Sequence, residues 1–244
     1  MIVSVSTKEV SDMRADVLVC LVDSSLSLSG SLAAQHRKSV QAAVKKKHFQ
    51  GEWGSSALLL NPTDLPISFL GLVGLGKSPD SFQKAEAVRR GIATLLGHSR
   101  GHGIRTFAIL LHNLEEASGL AGALQEGVTL SEYQFSSYKK SLAVEQKRQS
   151  VRRLTFLVQR NQASAVRAEI SHRDIILQGV EHARNLVNEP ASRVVPAFLV
   201  KQARTISRYN GAISVRVLNR EQARKQKFTA FLAVAKGSRE EPYV

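Results

Sequence analysis

The chain carries one cysteine, one tryptophan, two methionines and six prolines in 244 residues, and its aromatic side chains amount to only 6%. A single cysteine excludes a disulfide framework. Cys20 lies in the apolar run DVLVCLV (16–22) and reads as a small buried hydrophobe, which fits a reducing compartment. With so few aromatics, no run interleaves rings with basic residues as a stacking platform for single-stranded nucleic acid would. No stretch approaches the roughly 20 apolar residues of a membrane span. The opening MIVSVSTKEVSDMR lacks the charged start, apolar middle and small-residue cleavage site of a secretion signal. The expectation is a cytoplasmic protein without a membrane partner.

Acidic residues are also scarce, 20 Asp and Glu against 34 Lys and Arg, which gives a formal charge of +14. The excess is uneven. Residues 1–150 hold 17 basic and 13 acidic side chains, whereas residues 151–244 hold 17 and 7. A surplus of that size attracts any polyanion, nucleic acid included. It equally fits a chain whose acidic counterpart lies elsewhere. With 43% apolar and 22% charged residues, the chain can bury a proper core, as one large domain or two small ones.

Apolar alternations and runs predict strands near 2–5, 16–22, 56–60, 67–73, 104–111 and 152–159. Helical spacing falls between them at 31–48, 81–97 and 115–130, with Ser78 and Pro79 predicted to open the second helix. Strands alternating with helices imply an α/β layer fold with a largely parallel sheet. A long helical segment follows residue 160, with Val166, Ile170, Leu177, Val180, Ala183 and Val187 near one face. Pro190 closes it. Beyond lie a predicted helix over 195–211, a strand over 212–218, a short basic helix and a strand over 229–237.

GLVGLGKS (71–78) fits the phosphate-loop spacing G-x-x-x-x-G-K-[ST], but its interior, Leu72, Val73, Gly74 and Leu75, continues the strand ISFL. FAILL (107–111) also runs into His112 and Asn113 rather than a magnesium-binding aspartate. The reading is a strand, a tight turn and a helix start. His98 and His102 are four apart in a glycine-broken GHSRGHG, with no carboxylate or cysteine beside them, and read as solvated loop histidines. His172 lies in SHRD, where Ser171 and Asp174 resemble a helix-start signature. The clusters Lys45-Lys46-Lys47, Lys139-Lys140 and Lys147-Arg148 with Arg152-Arg153 suit phosphate contacts, and equally suit solvated helix ends and turns.

Several segments in order resemble the leucyl aminopeptidase family, the cytosolic metallo-aminopeptidases: ADVLVC (15–20), FQGEWG (49–54), GLVGLGK (71–77) and QEGVTLSEYQFSSYKK (125–140). The resemblance is sharpest in ARNLVNEPASRVVPAFL (183–199), similar to the family's Arg-x-Leu-Val-Asn-x-Pro segment, and continues through TAFLAVAKGSREEP (229–242). It implies a macro-like N-terminal α/β domain with a mixed, largely parallel sheet over 1–160, a connecting helix over 161–189, and the start of an α/β catalytic domain over 190–244. It further implies a hydrolase releasing N-terminal residues from peptides, two divalent metal ions (manganese or zinc) that activate a bridging water, and a hexamer. The family's metal ligands lie downstream of the Gly-Ser turn that Gly237-Ser238 matches. No catalytic, cofactor-binding or metal-binding residue is therefore assigned in this chain, which is expected to be truncated and inactive alone. Ala191-Ser192-Arg193 and Phe228 depart from the family pattern. The alternative is a non-enzymatic module, the macro-like domain and basic tail serving nucleic acid or assembly with another subunit.

Overall fold

The computed structural model describes every residue except 29–31, 33, 78, 140, 142–143, 145–149 and 210. Two compact units divide the chain, Met1–Glu181 and His182–Val244.

In the first unit six strands form one sheet: β1 (Ile2–Ser6), β2 (Ala15–Asp23), β3 (Ser56–Leu60), β4 (Ile67–Gly76), β5 (Thr106–Leu110) and β6 (Arg153–Leu157). Their order is β1-β6-β5-β2-β4-β3. Every pairing is parallel except β3 with β4. The α/β class is as the alternating pattern implied. β2 shows why. Residues 17–22 are fully buried, as expected for a central parallel strand covered on both faces. Val17, Val19 and Leu21 enter one apolar cluster, and Leu18, Cys20 and Val22 the other.

Helix α1 (Ala34–Lys46) covers the second cluster with Val40 and Val44. Helices α2 (Ser81–Ser99), α3 (Ala117–Glu132) and the start of α4 (Ala163–Asn188) cover the first, through residues such as Ile92, Leu95, Leu124 and Val166. The cap of helix α2 falls two residues later than the expected Ser78. Asp80 is the cap: its carboxylate accepts the Gln83 amide at 2.7 Å, and the Gln83 side chain accepts the Asp80 amide. This reciprocal box satisfies two otherwise orphaned donors. Ser78 lies outside the described residues.

The α2–α3 contact depends on Gly127. A Cβ there would meet the Arg89 carbonyl and Ile92 at 2.5 Å. Around this crossing, the Glu126 carboxylate accepts from Arg89 of α2 and Arg173 of α4, at 2.7 and 2.6 Å.

The second unit contains the end of α4, then α5 (Pro196–Tyr209), α6 (Arg220–Lys225) and α7 (Thr229–Ala235). Two expectations are corrected. AISVRVL (212–218) alternates like a strand, but no strand forms there, although Leu218 exchanges backbone hydrogen bonds with Val244 at 2.7 and 3.0 Å. Without a neighbouring strand among the described residues, alternation alone builds no ladder. TAFLAVAKG (229–237) is helical over 229–235. An unbroken apolar run does not distinguish strand from helix, and three alanines with a leucine favour the helix. The predicted face of α4 also ends early: Leu177 is buried, but Ala183 is exposed and Val187 is 84% exposed.

Candidate functional site

In an open parallel sheet, ligands collect beyond the carboxyl ends of the strands. Here those ends are Asp23, Gly76, Leu110 and Leu157, with the loops that follow them.

The phosphate-loop spacing at 71–78 is used for packing. β4 continues through Gly76, with Leu72, Val73 and Leu75 buried. The glycine amides are already engaged by the FQGEWG loop: Gly74 N–H donates to the Ser55 carbonyl at 2.8 Å, and Gly76 N–H to the Gly51 carbonyl at 2.8 Å. A Cβ on Gly74 would collide with the Glu52 carbonyl. Glycine therefore stands there so that two backbones can touch. Trp53 closes the loop from outside, its indole donating to the Gln83 carbonyl at 3.0 Å with the Arg90 guanidinium 5.0 Å above its ring. Lys77 is exposed beside this packing.

The sequence-highlighted histidines are not brought together. His98 lies in the last turn of α2, and His102 in the following short turn sits 5.4 Å from the Phe69 ring. His172 is corrected as a helix-start residue. It falls in the middle of α4, and Asp174 accepts from Gln178 instead of capping. Of the basic clusters, Arg152 and Arg153 are exposed, and Lys140, Lys147 and Arg148 lie outside the described residues. Among the described residues, no three His, Cys, Asp or Glu side chains gather as a metal site would require.

One polar residue was undervalued in the sequence. His112, just past β5, is only 6% exposed, and its Nε2 has no hydrogen-bond partner. It lines a cleft of about 490 Å³ at the ends of β5 and β6. The signal was the position itself, a polar residue directly after a fully apolar strand.

Two titratable groups deviate clearly near the sheet. Burial pushes the Cys20 thiol up to about 12. For Asp16, burial opposes the charge, but hydrogen bonds from Arg105 and Thr106 outweigh it and hold the carboxyl below its usual value.

In the second unit, ARNLVNEPASRVVPAFL is a helix stop and restart. The Asn188 side chain donates to the Arg184 carbonyl at 2.8 Å, Arg193 N–H donates to the Pro190 carbonyl at 2.8 Å, and Arg193 pairs with Glu189 at 3.3 Å. Pro196 then begins α5 at a position where its missing N–H costs nothing.

The fold thus defines a largely parallel α/β unit followed by a helical unit, with the glycine-rich signature used in packing. The profile described as "Cytosol aminopeptidase family, N-terminal domain" matches residues 17–142, just over half of the chain, and "Cytosol aminopeptidase family, catalytic domain" matches residues 181–244. The chain belongs to the cytosol aminopeptidase family. A "Probable cytosol aminopeptidase" of Microcystis aeruginosa is 32% identical over 225 residues, covering 89% of this chain and 43% of that protein. "Leucine aminopeptidase A2, chloroplastic" of Solanum lycopersicum is 29% identical over 206 residues, covering 83% of this chain and 34% of that protein. A solved tomato leucine aminopeptidase variant aligns with a TM-score of 0.75 at 22% identity, covering 99% of this chain and 49% of that one, which shows the shared fold. The chain spans about two-fifths of the length of the curated relatives it matches. No helix among the described residues is long and apolar enough to cross a membrane.

Proposed function

We propose that this chain is the leading portion of a metallo-aminopeptidase that releases N-terminal residues from peptides in the cytoplasm, as a homo-oligomer in its complete form. The observation carrying this reading is the order of the two family domains, an N-terminal match at 17–142 followed by a catalytic match at 181–244.

The two divalent ions the family implies, manganese or zinc, do not fit the residues present. After Pro190 the only carboxylates are Glu221, Glu240 and Glu241, and Glu241 pairs with Arg220 at 3.3 Å. No step of hydrolysis is routed through these residues. The role assigned to the chain is to fold, to carry the connecting helix and to present α5–α7 to further catalytic sequence. Exposed Leu199, Ile206 and Val234 support that role, since side chains of this kind are stabilised by a cover.

The test is an assay of leucine p-nitroanilide with the purified 244-residue chain in manganese or zinc. The expected result is no turnover above a mock preparation. Turnover that tracks the purified chain and disappears with chelator would overturn the assignment of chemistry to other sequence.

A further inference from the structure

We draw no further inference here: the strongest candidate, the open edge of the sheet along β3, where Leu60 is 78% exposed in a strand without a charged residue or a proline, carries nothing because nothing in the structure shows what covers it.

Discussion

Arg173 of α4 donates to Glu126 of α3 at 2.6 Å, while the other oxygen of the same carboxylate takes Arg89 of α2 at 2.7 Å. One half-buried acid therefore joins three helices on one face of the sheet. Arg89 also pairs with Glu86 and Arg173 with Glu169, so removing the Glu126 charge leaves each guanidinium one carboxylate partner but breaks the link between the helices. Glu126→Gln, which loosens two pairs at once, is expected to lower stability by about 2 kcal/mol, and Arg173→Met, which keeps most of the aliphatic stem, by about 1 kcal/mol. Urea unfolding with an unchanged slope measures both. Equal small losses in the two variants would show that the acid does not organise the cluster.

Asp16 gives a pH signature. Its carboxylate accepts the Arg105 and Thr106 amides, each at 2.8 Å, and its folded-state pKa is depressed despite the burial that opposes it. A depressed acid contributes stability that is present above its unfolded pKa, near 3.9, and lost as pH falls through the folded value. Asp16→Asn should therefore cost about 1 kcal/mol near neutrality, and its Tm should fall less steeply than that of the parent chain below about pH 4. Parallel Tm profiles for the two chains down to pH 2 would remove Asp16 from the acid transition.

Glycine positions separate packing from flexibility. Gly74 has the Glu52 carbonyl where a Cβ would stand, whereas Gly97, inside α2, has nothing within 4 Å. Gly74→Ala should destabilise by about 2 kcal/mol or more, as forced overpacking does. Gly97→Ala should stabilise by about 0.5–1 kcal/mol through helix propensity. Thermal unfolding of both variants decides the matter. A benign Gly74→Ala would return the GLVGLGK glycines to the status of a loop.

The thiol of Cys20 should be inert in the native chain. Burial on a fully covered strand raises it to about 12, so almost no thiolate exists at neutral pH. Reaction with a disulfide reagent should wait for unfolding and follow its rate. A fast stoichiometric reaction in native buffer would mean that β2 opens locally.

Much of the first unit was legible because its signals are local. Residues 17–22 are apolar without interruption, and only a strand buried on both faces uses such a run in a sheet. The Gly-rich segment was read correctly as strand and turn because its interior, Leu72, Val73 and Leu75, is apolar. Long-range relations were illegible: nothing near Glu126 in the chain announces Arg173. The second unit misled through its strands, because 212–218 has strand-like alternation with no neighbour to pair and 229–235 is apolar without a period. The family's catalytic chemistry could not be placed on residues here at all, since after Pro190 the chain offers only three carboxylates.

The same contrast predicts how the two units breathe. Residues 17–22 are sealed on both faces, whereas no described residue of α5 is fully buried, and Leu199 and Ile206 are each nearly half exposed. Local opening free energy follows the apolar contacts an element would lose. Backbone amides of α5 should therefore exchange hydrogen at least about a hundredfold faster than those of β2 in the isolated chain, with α6 and α7 behaving like α5. Covering the second unit with further catalytic-domain sequence should slow α5 selectively and leave β2 unchanged. Exchange in α5 as slow as in β2, without such a cover, would mean that the unit 182–244 is already stable by itself and that its exposed apolar side chains need no partner.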